Sequence, residues 1–290
     1  MKSQVKRATI IGLGAFLFAT ATFAQSPSSP VESPTYIRYA DLANLALAAR
    51  VAIVATVHDA TRLKGDDAQG VAAGSTRFYV EGDVGALIAG PGGIPARVSW
   101  LVDLPNGASN RPVKLAKQKL ILLARPIPDR PGTLQLVARG AQLAWTPALE
   151  SRLRDILREA NSAGAPPRIT GIGHAFHVAG SIPGEGETQI FLKTADNRSV
   201  SLSIQRHPGE DPRWSVSLGE IVDDAAAAPP RDTLLWYRLA CGLPPALPDD
   251  AVADQAPEDA AQARTDYKFV LDGLGACGRT TGPDATPSAG

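Results

Sequence analysis

The chain has 290 residues, of which 44% are hydrophobic and 20% charged, proportions typical of a globular protein with a buried core. Its 29 basic and 29 acidic residues balance, which argues against nucleic acid or an anionic membrane surface as a partner, because both require clustered positive charge. The densest basic run, Arg111–Lys119, alternates with apolar residues and fits a solvated strand face as well as a binding patch.

Residues 1–24 predict a cleavable secretory signal peptide. Lys2 and Lys6 belong to a positive first segment, an apolar stretch follows, and small residues precede the predicted cleavage between Ala24 and Gln25. The stretch is shorter than the ~20 apolar residues of a bilayer-spanning helix, which disfavours an uncleaved anchor. Cleavage leaves 26 basic and 29 acidic residues in the mature chain. We therefore predict a periplasmic or secreted protein with no membrane span after signal removal.

The next segments predict a Ser/Pro-rich tether over residues 25–35 and a β-barrel-like domain over residues 36–162. A short helix at Asp41–Ala49 precedes five β-strand candidates rich in branched and aromatic residues, and Gly or Pro clusters separate the candidates. The domain ends in a helix whose cap and first residue are Thr146 and Pro147. The five strand candidates are Val51–Val57, Thr76–Gly82, Arg97–Asp103, Lys119–Arg125 and Thr133–Arg139.

The remaining chain, residues 163–280, predicts a small sheet packed against two disulfide-linked helices, and residues 281–290 predict a disordered tail. In the third strand candidate, Val200, Leu202 and Ile204 alternate with polar residues, the period of a half-buried strand. The fold class predicted is α+β, mostly β: a small antiparallel OB-like barrel or sandwich, then a short sheet with C-terminal helices. The strand candidates of the second part are Arg168–Ile172, Thr188–Thr194, Ser199–Arg206 and Trp214–Ile221.

Cys241 and Cys277 are the only cysteines, and an even count in an exported chain predicts a disulfide between them. Each cysteine follows a predicted helix, the first of which we expect Asp232 to cap. The alternative is a redox-active pair, which the absence of a C-x-x-C spacing disfavours. The bridge would span the acidic, Ala-rich connection at residues 249–263, which composition predicts to be poorly ordered.

No metal site is predicted, and the histidines that come nearest to one are His174 and His177. Residues three apart share a helix face, but the neighbouring glycines and proline favour a strand or loop, where the two rings would point to opposite faces. Hydrogen-bonded or exposed histidines are the alternative that we favour, and His58 and His207 are interpreted as structural.

No catalytic residue is assigned from the sequence. Ser181 has glycines around it but lacks the G-x-S-x-G spacing of a nucleophile elbow, and the glycine-rich Gly90–Gly93 lacks the lysine of a phosphate-binding loop. Four tryptophans are spread one per structural unit. They are interpreted as core anchors, and the alternative is a row of exposed rings that holds a sugar or peptide.

Five stretches resemble a group of exported alphaproteobacterial proteins of unknown function: Tyr39–Ala46, Ser99–Pro105, Trp145–Glu150, Glu187–Leu192 and Arg231–Cys241. The resemblance covers most of the mature chain and implies the export route and a shared fold, but no activity. Separately, the order helix, five strands, helix is similar to OB-like barrels, a likeness of fold that says nothing about a ligand.

The sequence thus predicts a non-enzymatic periplasmic binding or interaction protein, with an envelope component or another protein as partner, without nucleic acid and without a cofactor. The alternative is a periplasmic hydrolase with a non-sequential Ser/His/carboxylate site. A cluster of His174 or His177 with a hydroxyl and a carboxylate in a cleft would favour the enzyme. An open groove or exposed apolar patch on the barrel would favour binding.

Overall fold

The computed structural model describes residues 37–219 and 227–280. Several sequence-based predictions lie outside the described residues: the signal peptide 1–24, its cleavage between Ala24 and Gln25, the tether 25–35 and the tail 281–290. The strand candidate Trp214–Ile221 loses its last two residues, and the predicted domains 36–162 and 163–280 lose residues 36 and 220–226.

The first part of the described chain is a barrel with a helix on either side of it in sequence. β1 and β2 extend well beyond their predicted ends, and a short sixth strand, β6, was not predicted. The elements are α1 (Tyr39–Ala48), β1 (Val51–Arg62), β2 (Ser75–Ala89), β3 (Arg97–Pro105), β4 (Lys119–Pro126), β5 (Thr133–Leu136), β6 (Gln142–Ala144) and α2 (Pro147–Ala160).

The five strands β1 to β5 close on themselves. The strands are hydrogen-bonded in the order β1-β2-β3-β5-β4, and β4 pairs again with β1. All pairs are antiparallel except β3 with β5, which meet in parallel at Ser99 and Trp100. Closure leaves the sheet without a free edge. The prediction of an OB-like barrel in a mostly β protein of the α+β class is confirmed.

Strands β1 and β4 are buried on both faces, which explains the continuous apolar run at the start of β1. Val51, Ile53 and Ala55 point into the barrel, where Trp100 is 1% exposed. Ala52 and Val54 point the other way, into the core shared with the helices. The helices therefore cover one side of the barrel, including the end of β2 at Ala86–Ala89, and leave β3 and the first half of β2 to solvent.

The second part is a four-stranded antiparallel sheet in the order β10-β9-β8-β7, with helices on one face. Its alternating core residues Val200, Leu202 and Ile204 are buried as predicted from their period. The strand β7 continues to Ala179, beyond its predicted end at Ile172. The prediction was short because Gly171 and Gly173 interrupt the alternation of apolar and polar residues by which a strand is recognised. The elements are β7 (Ile169–Ala179), β8 (Gly186–Thr194), β9 (Val200–Arg206), β10 (Arg213–Ser217), α3 (Leu234–Ala240) and α4 (Pro257–Leu274).

Two local predictions about the C-terminal helices are wrong. The cap of α3 is Thr233, whose hydroxyl accepts a hydrogen bond from the Trp236 amide, while Asp232 precedes the cap with a positive φ of 60°. The connection over residues 249–263 is ordered: a 3₁₀ turn at Asp249–Val252 leads into α4. Ala251, Val252 and alanines of α4 are buried, so the alanines that suggested disorder supply core contacts instead.

Cys241, which ends α3, and Cys277, which follows α4, form the predicted disulfide. The Trp236 indole N–H also donates to the Leu274 carbonyl at 2.9 Å, so the two helix ends are joined by a hydrogen bond as well. Trp236 is 3% exposed and acts as a core anchor, as expected. None of the helices in residues 37–219 and 227–280 combines the length and apolar character that spanning a bilayer requires.

Candidate functional site

The structure separates the two histidines that were considered as metal ligands. Both lie on β7, three residues apart, so their rings point to opposite faces of the sheet. His174 is exposed and lies 6.2 Å from the Phe176 ring, whereas the side chain of His177 is 8% exposed and faces α4. No group of three potential metal ligands occurs in the part of the chain that the structure describes.

His177 begins a buried polar cluster with Thr188 of β8 and Asp266 of α4. The Thr188 hydroxyl donates its one proton to Asp266 Oδ2 at 2.5 Å, so its oxygen accepts the 2.9 Å hydrogen bond from His177 Nδ1. The His177 backbone amide donates to Gln255 Oε1 at 3.1 Å. The ring lies against Gly186, where an added Cβ would come within 2.7 Å of His177 Cε1.

The carboxylate of Asp266 is the centre of the cluster. Its Oδ1 accepts a hydrogen bond from Arg206 Nε at 2.6 Å, a second from Arg206 Nη2, and a third from Gln262 Nε2 at 3.0 Å. Asp266 is fully buried, and a buried carboxylate requires this degree of pairing. The cluster therefore connects β7, β8 and β9 to α4.

Asp266, Thr188 and His177 form a hydrogen-bonded row of carboxylate, hydroxyl and imidazole, the groups of which a proton relay is made. The burial and hydrogen bonding of this row fit a structural role instead. Thr188 is fully buried, and its hydroxyl donates to Asp266 while accepting from His177, so the imidazole is not placed to take the hydroxyl proton as a catalytic base would. Ser181 lies in the exposed turn after β7, and no hydrogen bond joins it to a histidine within the described residues. The hydrolase stays a prediction.

A surface groove of about 670 Å³ lies on the side of the barrel that the helices leave open. Alternation in β2 and β3 sends Phe78 and Val80 into the core and their neighbours outward. Tyr79 and Leu101 are direct cross-strand partners on the outer face, 38% and 52% exposed. Exposed large apolar side chains that share a concave surface are typical of a binding site.

Next to this apolar pair, Arg77 and Asp103 form the adjoining cross-strand pair. Arg77 Nε and Nη2 donate to the two carboxylate oxygens of Asp103 at 2.7 and 2.9 Å. The guanidinium hydrogen bonds hold the pKa of the Asp103 carboxyl below its ordinary value. Arg77 Nη1 also donates to the Gln69 carbonyl at 3.2 Å, so the loop between β1 and β2 is held at the rim of the groove.

The opposite wall of the groove comes from β5 and the loops around it. Pro126, Ile127 and Pro128 supply apolar surface, and the exposed Arg130 and Arg139 supply positive charge. The hydrogen bond from the Ile127 amide to the Thr133 carbonyl, 3.1 Å, closes the loop between β4 and β5. The site is therefore an apolar floor with the Arg77–Asp103 ion pair on one side and a cationic wall on the other.

Sequence reasoning missed the groove, although one signal was present. Leu101 occupies an outward position in β3, between Ser99 and Asp103, where alternation calls for a polar residue. The other sequence-based candidates lie elsewhere: His58 pairs with Asp83 at 3.4 Å on the barrel surface, and His207 follows β9.

Comparisons with known proteins give no identity for the chain. No family model matches it, and no curated protein matches its sequence significantly. The resemblance to exported alphaproteobacterial proteins stays a prediction, and the candidate function rests on the geometry of the groove.

Proposed function

We propose that the chain is a non-enzymatic periplasmic interaction protein that binds a segment of another envelope protein in the groove on β2 and β3. The observation that carries the proposal is the exposed cross-strand pair Tyr79 and Leu101 on the floor of a groove of about 670 Å³. The predicted signal peptide and the disulfide between Cys241 and Cys277 support an oxidising compartment outside the cytoplasm.

The energetics favour occupation of this surface. Removing the exposed half of Leu101 from water contributes about 1 kcal/mol, and the Tyr79 ring adds apolar area at little entropic cost because it has few rotatable bonds. The strands that carry the pair are held in a closed barrel, so the groove is formed before the partner arrives. Such preorganisation reduces the cost of binding.

The position of the groove agrees with ligand binding by barrels of this type. Barrels of the OB type hold ligands on the face of strands 2 and 3, between the loops that join strands 1 to 2 and 4 to 5. The corresponding loops here flank Arg77 and Ile127. This likeness of fold supports the location of the site but does not identify the ligand, which we infer from the side chains that line the groove.

That chemistry favours a polypeptide. Tyrosine, arginine and aliphatic side chains are the residue types that dominate the centres of protein interfaces. The groove combines Tyr79, Leu101 and Ile127 with Arg130 and Arg139. A protein segment offers apolar side chains for the floor and polar backbone groups for the walls.

Site-specific photocrosslinking tests the proposal. With benzoylphenylalanine in place of Leu101, we expect ultraviolet irradiation of cells that express the chain to yield an adduct with one envelope protein, identified by mass spectrometry. Adding Tyr79→Ser should lower the adduct yield about tenfold, the effect of removing a central interface tyrosine.

Phe191 offers a matched control, because its side chain is 43% exposed on the second sheet, compared with 52% for Leu101. The same photoreactive residue at position 191 should give no adduct with that protein. Equal yields from positions 101 and 191, or no adduct from position 101, would contradict the proposal. Unchanged urea midpoints of both labelled chains would show that the fold is intact.

A further inference from the structure

Three cavities follow one another around the start of β2. A cavity of about 530 Å³ lies at the end of the barrel beside Phe78 and Val113, and a cavity of about 280 Å³ lies under the loop between β1 and β2. Arg62 lines both of these cavities, and Arg77 lines both the second cavity and the groove. The groove and the two cavities are therefore neighbours that share arginine side chains.

The charges around these three cavities are strongly biased toward positive. Seven basic and two acidic side chains line the three cavities, although the whole chain has equal numbers of each. One cation, Arg77, is neutralised by Asp103, and Asp59 accepts a hydrogen bond from Thr61 at 3.0 Å. Arg139 lies near enough to the Asp103 carboxylate to help lower its pKa, and within residues 37–219 and 227–280 none of the other six basic side chains makes a hydrogen bond or a close ion pair. These six, the cationic belt, are Arg62, Lys64, Arg111, Lys114, Arg130 and Arg139.

Folding assembles the cationic belt from distant parts of the sequence. The stretch from Arg111 to Gln118, considered above as a strand face, precedes β4 as an irregular segment that lines the barrel-end cavity with Arg111 and Lys114. Asp66 and Asp67 belong to the loop between β1 and β2 but do not line the cavities. The cations of the belt thus come together around three neighbouring cavities.

We propose, on the basis of the proposed function, that the segment bound in the groove is an extended acidic polypeptide whose carboxylates pair with the cationic belt. Its apolar side chains would pack on Tyr79 and Leu101, and its acidic side chains would reach Arg130 and Arg139 on the cationic wall. The chain would continue past Arg77 toward the barrel end. Arginine forks bind carboxylates in a bidentate manner, and clustered arginines recognise acidic motifs.

The apolar floor favours a polypeptide over other polyanions. A nucleic acid or an acidic glycan would satisfy the cations, but Leu101, Ile127 and the two neighbouring prolines would then face a largely polar ligand. Tyr79 is the one exposed ring on this floor, and a run of bases requires successive rings for stacking. An alternating acidic and aliphatic segment satisfies both the floor and the walls.

Fluorescence anisotropy with labelled peptides tests the proposal on the mature protein. We expect a peptide of alternating Asp and Leu residues to bind, with an affinity that falls between about 0.05 M and about 0.5 M NaCl as surface charges are screened. A peptide of alternating Ser and Leu residues should bind at least about fivefold more weakly, because it lacks the carboxylates.

Paired substitutions locate the binding path. Arg130→Ser with Arg139→Ser should weaken binding of the Asp/Leu peptide about fivefold to tenfold, and Arg62→Ser with Lys114→Ser should have a similar effect. The matched control is Arg158→Ser with Lys268→Ser, which removes two exposed cations from α2 and α4 and should change the affinity less than about twofold.

The outcomes separate this inference from the function on which it rests. Equal binding of the Ser/Leu and Asp/Leu peptides, or unchanged affinity in both belt variants, would overturn the acidic preference while crosslinking at position 101 still tests the groove. Tighter binding of heparin or oligothymidine than of the Asp/Leu peptide would overturn the choice of a polypeptide. Loss of binding in Leu101→Ser together with both belt variants supports a single path.

Discussion

Replacing Asp266 with Ala is expected to lower the free energy of unfolding by about 3 kcal/mol, the effect of breaking a buried ion pair from one side. The substitution leaves the Arg206 guanidinium without its carboxylate and the fully buried Thr188 hydroxyl without its acceptor. Arg206 is 27% exposed and regains some hydration, which keeps the loss at the lower end of the range for buried pairs. Urea denaturation followed by circular dichroism measures the change.

Asp272 provides the control for this prediction because it lies on the same helix. Its side chain is 64% exposed and pairs with Lys268, so Asp272→Ala should change the free energy of unfolding by less than about 0.5 kcal/mol. Similar losses for Asp266→Ala and Asp272→Ala would contradict the role assigned to the buried cluster.

The same Asp266 variant distinguishes structure from function. Below its unfolding temperature, the variant should bind the Asp/Leu peptide with unchanged affinity, because the groove lies on the barrel and the cluster joins the second sheet to α4. A change in peptide affinity without a change in the unfolding free energy would contradict this separation.

The barrel was predictable because its signals are local. The continuous apolar run at Val51–Val57 marks a strand buried on two faces, and the Thr146-Pro147 pair marks the start of α2, where the Thr146 hydroxyl accepts from the Leu149 amide at 3.1 Å. Each of these signals depends on side chains a few residues apart. Hydrogen bonding across the barrel then extends β1 to Arg62 and β2 to Ala89, lengths that tertiary pairing sets.

The predictions that failed depend on distant contacts. Composition predicted disorder over residues 249–263, but Ala251 and Ala263 pack into the core, and Arg264 Nη2 donates to Asp249 Oδ1 at 2.8 Å. Alanine-rich acidic sequence fits both a solvated linker and a closely packed turn. Whether such a segment is ordered depends on its contacts with the rest of the core.

The sequence contains a signal for the buried cluster, which is the position of two charged residues among buried apolar ones. Asp266 lies beside Tyr267 and four residues before Val270 on the apolar side of α4, and Arg206 continues the buried phase of Leu202 and Ile204. A charged residue at a position where the periodic pattern places buried residues indicates that it has a buried partner. Which acid meets which base depends on how α4 lies across the sheet, and this is a property of the tertiary fold.

The cationic belt shows the opposite case, because the sequence marks only Arg111 and Lys114, in one basic run, and nothing in it joins them to the other four. Arg62 and Arg139 are far apart in sequence, and four strands lie between them. Strand pairing brings these side chains to one surface. An overall neutral charge therefore excludes a uniformly basic protein but is compatible with a local cluster of basic side chains.

Replacing both Cys241 and Cys277 with Ser is expected to lower the free energy of unfolding by about 3.8 kcal/mol, since the bridge closes a loop with a sequence separation of 36 and restricts the unfolded chain. The loop contains all of α4, including Asp266. In the unfolded chain, the bridge therefore restricts the segment that packs against the second sheet on folding. Urea denaturation of the variant and of the wild-type protein measures the difference.

The reduced wild-type protein serves as the control, because it carries the same loss of cross-link with native side chains and should unfold at the same urea midpoint as the double variant. Denatured wild-type protein that has not been reduced should show no thiol toward iodoacetamide, and two after reduction. If the oxidised and reduced proteins unfold at the same urea concentration, the bridge adds nothing to stability. The hydrogen bond from Trp236 to Leu274 would then suffice to hold the two helix ends together.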